Sequence, residues 1–288
     1  AFSPERIDPG NPHYGVANTP RVVGGVTPEC TRRAVEFYAR LVDQVVPVSS
    51  ARAAEMVKLL ENVFRAVNIA LVNETAIICE RMGIDVWEVV EAAASKPFGF
   101  MPFYPGPGIG GHCIPVDPVY LSWKARTMGH HHRLIELATD INAEMPRRVA
   151  DRAGEILNLW GKAVRGARIL LLGVAYKPDV SDIRESPALE ILHLLRERGA
   201  LVEYHDPHVP RLDLSGIAMA SVPLTAERLS ACDLVILTTN HSCFDYPWIA
   251  SHARVVFDTR NGFKGITGPH IFRVGAPLPS GDVPVEVG

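Results

Sequence analysis

The sequence predicts an α/β chain in which an all-helical central segment with one long helix precedes a doubly wound parallel sheet. Three observations carry this. Residues 49–82 hold neither Pro nor Gly and repeat apolar side chains with a helical period. Residues 167–175, ARILLLGVA, form the unbroken apolar run expected of a strand buried on both faces. Beyond that run, strand-like and helix-like segments alternate, the pattern of a parallel sheet covered by helices.

The elements follow in order. Residues 1–20 carry Pro4, Pro9, Pro12 and Pro20 with Gly10 and Gly15, so a loop is expected. RVVGGV (21–26) reads as a short strand. Thr27 before Pro28 is an N-cap and first-turn pair, opening a helix to about Val45, and VVPVS reads as a second short strand. In the long segment Met56, Leu59, Leu60, Val63, Val67, Ala70, Leu71, Ile77 and Ile78 mark the helix, which Gly83 ends. At 1.5 Å per residue it is about 50 Å long. Its length and apolar residues on more than one face suit a helix lying across a homodimer interface; a bent helix or two helices inside one core is the alternative. Asp85 caps a helix over 86–95, a loop rich in Pro, Gly and aromatics covers 96–117, Asp117-Pro118 caps a helix over 118–128, and 134–160 is helical again. After the buried run, Ser186-Pro187 opens a helix over 187–198. LVEYHD (201–206), CDLVILTTN (232–240) and RVVFDT (254–259) are strands, and 270–288 is a tail.

Composition narrows the function classes. The 288 residues suit about two domains. A net charge of −3 with 21% charged residues argues against a nucleic-acid surface or a polybasic membrane patch, so neither partner is expected. Five cysteines (Cys30, Cys79, Cys113, Cys232, Cys243) without a CxxC do not read as a disulfide framework or a zinc ribbon. HHHR (130–133) lies in a turn and is not read as a metal site, and no metal is expected. No signal peptide opens the chain and no apolar run approaches the ~18 residues of a membrane span, so a cytoplasmic location is expected.

The densest chemistry lies in PGPGIGGHCIPVDP (105–118). Gly106, Gly108 and Gly111 match GxGxxG formally, but FMPFYP rather than an apolar strand precedes them, and His130–His132 occupy the place of the ribose-binding acid. The glycines are read instead as allowing a close backbone approach. Cys113 stands a few residues before a helix N-terminus, whose partial positive charge favours a thiolate. The residues alone leave open a nucleophile and an inert loop thiol, whereas Cys79 reads as core. Asp117 is a helix cap, an acid/base group, or both. Lys58 and Asn62 share a helix face and read either as part of a site or as a solvated stripe. Tyr176, Lys177 and Arg184 follow the buried strand and Arg260 follows the last one, at the carboxyl edge where open α/β sheets bind ligands. Three cations and an aromatic suit a diphosphate and a base; scattered surface charge is the alternative.

Together SPERIDPGN, KLLENVF, GPGIGGHCIPVDP, GVAYKPDVSDIRES and FDTRN resemble the UDP-glucose/GDP-mannose dehydrogenase family, over about residues 2–265. GGHCIPVDP with SPERIDPGN looks more like the bacterial enzymes acting on UDP-N-acetylglucosamine or UDP-N-acetylmannosamine. The resemblance implies two hydride transfers from a sugar C6 to NAD, with a UDP-sugar as substrate; a homodimer or higher homo-oligomer is expected from the long helix. By this resemblance Cys113 is the nucleophile that traps the aldehyde and then carries a thioester. Lys58 and Asn62 form the oxyanion site, Asp117 is the acid/base carboxylate and Glu5 assists thioester hydrolysis. Tyr104, Gly108 and Gly110 of the glycine loop, with Tyr176, Lys177 and Arg260, are UDP-sugar contacts, and Arg184 reaches NAD. Two departures stand out. SKPFGFM holds no arginine where some members present one to the partner's sugar site; Lys96 is the nearest cation. The family's GxGxxG domain is also absent, so the chain is expected to start after it and to be inactive alone.

The expected organisation is a remnant of the NAD-binding domain (1–48), a central helical dimerisation and catalytic domain (49–150), and a Rossmann-like UDP-sugar-binding domain with a C-terminal tail (151–288). The rival functions are a non-catalytic UDP-sugar-binding or dimerisation fragment, and a cysteine acyl-transfer enzyme needing a histidine beside Cys113, for which His112 is the sequence neighbour.

Overall fold

The computed structural model describes residues 1–8, 11–214 and 217–278. It divides into two compact units: Ala1–Arg65 with Val116–His131, and Ala66–Pro115 with His132–Gly288.

The chain opens in a loop tied down by one antiparallel bridge, Phe2 to Gly24. Strand β1 (Arg21–Gly24) leads to helix α1 (Pro28–Tyr38) and strand β2 (Val45–Val48). Thr27 caps α1 as expected, its hydroxyl accepting from Cys30 N at 3.2 Å. The helix stops at Tyr38, not near Val45. β2 must run parallel to β1 with Val45 opposite Arg21, and Arg21 N already bonds Gln44 O, so the chain leaves the helix early to reach that register. Pro47 lacks a donor and is tolerated because each strand of a two-stranded sheet keeps an open edge.

Helix α2 (Ala51–Met82) is continuous for 32 residues. Met56, Leu60, Phe64, Leu71, Ile78 and Met82 leave it as exposed apolar side chains. Helix α3 (Val86–Ala94) begins where Asp85 accepts from Trp87 N at 3.0 Å. Helix α4 (Asp117–Thr127) starts without a side-chain cap: Val116 holds the cap position and Asp117 is the first helical residue. This corrects the reading of Asp117 as a cap. Helix α5 (Arg133–Leu159) follows and accommodates Pro146 inside it.

The second unit is built on strand β3 (Arg168–Leu172). Ile169 and Leu171 enter one apolar core with Ile156 and Leu195; Leu170 and Leu172 enter another with Leu229 and Ile249. The unbroken apolar run is therefore a strand buried on both faces, each such side chain contributing on the order of 2 kcal/mol. Helix α6 (Pro187–Glu197), strand β4 (Leu201–His205), the hairpin β5 (Arg211–Leu214) and β6 (Ile217–Ala220), helix α7 (Ala226–Ala231), strand β7 (Leu234–Leu237), helix α8 (Tyr246–His252), and strands β8 (Val256–Asp258) and β9 (Ile271–Arg273) complete it. The sheet is parallel throughout, in the order β4-β3-β7-β8-β9. Ser186 holds the cap position of α6 as expected, but its hydroxyl is buried without a hydrogen-bond partner among the described residues; Pro187 opens the helix. β9 corrects the expectation of a tail from 270: it is three residues long, too short for a period to show, and is anchored by buried Phe272. The rest of the expected tail, 279–288, lies outside the described residues. No helix among the described residues is long and apolar enough to cross a membrane.

Candidate active site

In the first unit the chain brings two expected site residues together. Asn62 lies on α2 and is 3% exposed. Its Nδ2 donates to Asp117 Oδ2 at 2.6 Å, so the carboxylate at the start of α4 faces α2 and not the amides of its own helix. Lys58 stands one turn before Asn62, half-buried, and makes no ion pair or hydrogen bond among the described residues. Glu5 takes no part in this hydrogen bond. It is largely exposed, its Oε1 accepts from Arg6 N and Ile7 N at 2.8 Å each, and Arg21 approaches to 3.7 Å. The neighbouring Arg6 holds Glu61 of α2 at 2.7 Å.

In the second unit the glycine loop folds onto the carboxyl edge of the sheet. Gly111 N donates to Arg184 O at 3.0 Å. A Cβ on Gly110 would sit 2.8 Å from both Tyr176 Cβ and Glu185 O, so only glycine lets the two loops meet. Gly108 lies against Pro187 at the start of α6. Gly106 lies against the Arg260 guanidinium, and its N–H donates to Asn73 Oδ1 at 3.0 Å. Cys113 stands at the end of this loop, half-buried and within electrostatic reach of Arg184. Tyr104 is 47% exposed and stacks on Trp87, ring centroids 5.7 Å apart.

Arg260 is the best-positioned cation. Its Nε donates to Thr238 O at 3.0 Å, and its terminal nitrogens make no hydrogen bond or ion pair among the described residues. Burial pushes it down to about 10, against the opposing pull of Asp258, so it stays charged at neutral pH. Asp258 is itself pushed upward by burial, although Phe263 N, Arg260 N and Gly262 N donate to it. That carboxylate shapes the turn that presents Arg260. Arg184 is drawn onto Asp182 at 2.5 Å within its own loop, and this pairing raises it further.

Sequence reasoning missed two sets of supporting residues. Asn73 is fully buried; besides receiving Gly106 N–H, it donates to Asn142 Oδ1 at 3.0 Å, and Asn142 donates to Ala66 O at 3.0 Å. A buried Asn in the apolar face of the long helix was the available signal. Asp206 and His241 are the second set. Each follows a strand at its carboxyl end, but their pairing depends on the strand order, which residue spacing does not reveal.

Residues 52–144 match the central domain of the UDP-glucose/GDP-mannose dehydrogenase family, and residues 170–265 match that family's UDP binding domain. The chain is 36% identical over 252 residues to the UDP-N-acetyl-D-mannosamine dehydrogenase of Yersinia pestis, covering 85% of this chain and 58% of that protein. It is 37% identical over 267 residues to the NDP-N-acetyl-D-galactosaminuronic acid dehydrogenase of Ralstonia solanacearum, covering 90% and 60%. Among solved structures, a UDP-D-ManNAc dehydrogenase from Pyrococcus horikoshii superposes with a TM-score of 0.83 at 29% identity, covering 95% of this chain and 64% of that one. The chain thus spans about three-fifths of the length of these relatives.

Proposed function

Because the chain belongs to the UDP-glucose/GDP-mannose dehydrogenase family, we propose that it serves the oxidation of a UDP-sugar at C6, from hydroxymethyl to carboxylate. The observation that carries the nucleotide part is Arg260: a part-buried guanidinium, its terminal nitrogens uncommitted among the described residues, at the carboxyl edge of a parallel sheet. A diphosphate supplies the paired charge such a group lacks. Lys177 on the loop after β3 is the second phosphate ligand, and Tyr104 and Tyr176 offer faces to the base or sugar. The names of the relatives, which act on N-acetylated sugars, support a UDP-N-acetylhexosamine.

Cys113 is the proposed nucleophile. Its sulfur adds to the C6 aldehyde carbon to give a thiohemiacetal. Both oxidations, hydroxymethyl to aldehyde and thiohemiacetal to thioester, would need an external hydride acceptor, each giving up a hydride and a proton; water attacking the thioester carbon would then release the carboxylate and return the Cys113 thiolate. Lys58 and Asn62 are donors suited to an oxyanion. Asp117, held by Asn62, is the proposed acid/base carboxylate, and Glu5 the group that assists water.

NAD, the hydride acceptor the family implies, needs a glycine turn between a strand and a helix N-terminus, and an acid for the ribose. The described residues do not build this. Gly106, Gly108 and Gly111 lie in the loop against Arg260, Pro187 and Tyr176, and Arg184 is engaged by Asp182. This chain's share of the work is therefore the sugar nucleotide, and alone it should not reduce NAD. The division into 1–48, 49–150 and 151–288 stands as part of this proposal, as does self-association through the apolar stripe of α2. Calorimetry with UDP tests the reading: the chain should bind one equivalent, and Arg260→Ala should weaken binding by about 1–3 kcal/mol. Equal affinity in both proteins would refute it.

A further inference from the structure

The loop after β3 carries Tyr176, Lys177 and Arg184, and it is held from beneath by two fully buried polar residues. Asp206 follows β4 and is 2% exposed; His241 follows β7 and is 0% exposed. β3 lies between these two strands, and the strand order reverses there, the crevice where open α/β sheets place ligands.

Asp206 Oδ2 accepts from Val174 N at 2.7 Å and Ala175 N at 3.1 Å. Its Oδ1 accepts from His208 N at 2.8 Å and Val209 N at 3.0 Å. His241 Nδ1 lies 3.0 Å from Asp179 N. A backbone N–H can only donate, so Nδ1 is the acceptor and the proton sits on Nε2. Nε2 then donates to Asp206 Oδ2 at 3.1 Å. Asp179 returns the contact, its Oδ1 accepting from Ser242 N at 2.9 Å, and it sits in the left-handed region at φ 60°. Thr239 adds a bond to Ala175 O at 2.6 Å. Asp179, His208 and His241 bring three ligand-type atoms within 4.8 Å of one another, but the His241 Nδ1 lone pair is already taken by Asp179 N–H, which makes this a hydrogen-bonded bracket.

Lys177 lies midway along the chain between the two anchors, two residues from Ala175 and two from Asp179. We propose that His241 and Asp206 are positioning residues for the nucleotide-sugar site, with His241 fixing the loop at Asp179 and Asp206 fixing it at Val174 and Ala175. This rests on the reading of the carboxyl edge as the UDP site. Neither residue needs to touch the ligand: each acts through the backbone that carries Lys177.

The two nitrogens of His241 can be separated. In His241→Asn the amide oxygen can replace Nδ1 as acceptor for Asp179 N–H; in His241→Gln the amide nitrogen can replace Nε2 as donor to Asp206. UDP affinity by calorimetry and amide hydrogen exchange over residues 174–186 are measured on the 288-residue chain and on His241→Ala, His241→Asn and His241→Gln. The Ala variant should lose about ten-fold in UDP affinity and exchange faster over 174–186, with β3 and β7 unchanged. Asn should recover most of both losses and Gln little of either. A merely structural role would lower melting temperature in Asn and Gln alike without separating their affinities. Equal behaviour of Asn and Gln, or parental affinity and exchange in Ala, would overturn the proposal. Should Ala not fold, the Asn–Gln comparison decides. If the parent chain binds no UDP while exchange still separates Asn from Gln, the bracket stands and the nucleotide reading falls.

Discussion

Asn62 Nδ2 donates to Asp117 Oδ2 at 2.6 Å, joining α2 to the first residue of α4 across 55 positions of the chain. The bond gives Asp117 a partner other than its own helix. Asn62→Ala and Asp117→Ala should each cost about 1–2 kcal/mol in denaturant unfolding. Their double variant should show a coupling of at least about 0.5 kcal/mol. Strictly additive losses would mean that Asp117 serves only its own helix start.

Gly110→Ala places a methyl group 2.8 Å from Tyr176 Cβ and Glu185 O, atoms with little freedom to move. The glycine loop should lift from the loop after β3. UDP affinity should fall while the sheet keeps its stability, because the clash is outside both apolar cores. Titration of the folded variant with unchanged affinity would contradict the packing of the two loops.

Burial opposes the charge of Asp206, but the His241 hydrogen bond and the Val174 and His208 amides outweigh it and hold the carboxyl at about 2, below its ordinary 3.8. A carboxylate with a depressed pKa stabilises the fold above its unfolded value and loses that contribution as pH falls through its folded value. The window is therefore about pH 4 down to pH 2, and the contribution about 2 kcal/mol. Asp206→Asn should flatten the acid limb of stability against pH in that window. An unchanged slope would show that the carboxylate carries no such linkage.

Met56, Leu60 and Phe64 recur at four-residue intervals on α2 and are 48%, 63% and 45% exposed. A helical stripe of this kind is stabilised by a matching copy. Leu60→Glu should shift sedimentation toward the monomer with little change in melting temperature. A parent chain that is already a folded monomer at micromolar concentration would contradict self-association through α2.

Much of the fold was legible because its signals are local. A two-sided apolar run marked β3, and Thr27 and Asp85 marked the starts of α1 and α3. The end of α1 was not legible, because strand register, not helix propensity, terminates it. The hairpin of β5 and β6 and the strand β9 are three or four residues long, below the reach of any period. In the candidate site, motif residues were legible one by one. The Asn62 bond to Asp117, the Asn73 and Asn142 chain under the glycine loop, and the His241 and Asp206 bracket were not. Each joins residues far apart in sequence, and only the strand order or the packing of α2 brings them together.

Whether Cys113 is the thiol serving a UDP-sugar site is tested with a UDP-linked haloacetyl reagent on the 288-residue chain, with peptide mass spectrometry locating the alkylated cysteine. Cys30 and Cys243 are internal controls: Cys243 is exposed, and hydrogen bonds from Thr27 lower the pKa of Cys30, which favours its reaction with any reagent that is not directed. Cys113 should be labelled first, and free UDP should protect it and no other cysteine. Labelling of Cys30 or Cys243 ahead of Cys113, or labelling of Cys113 that UDP does not slow, would contradict this role of Cys113.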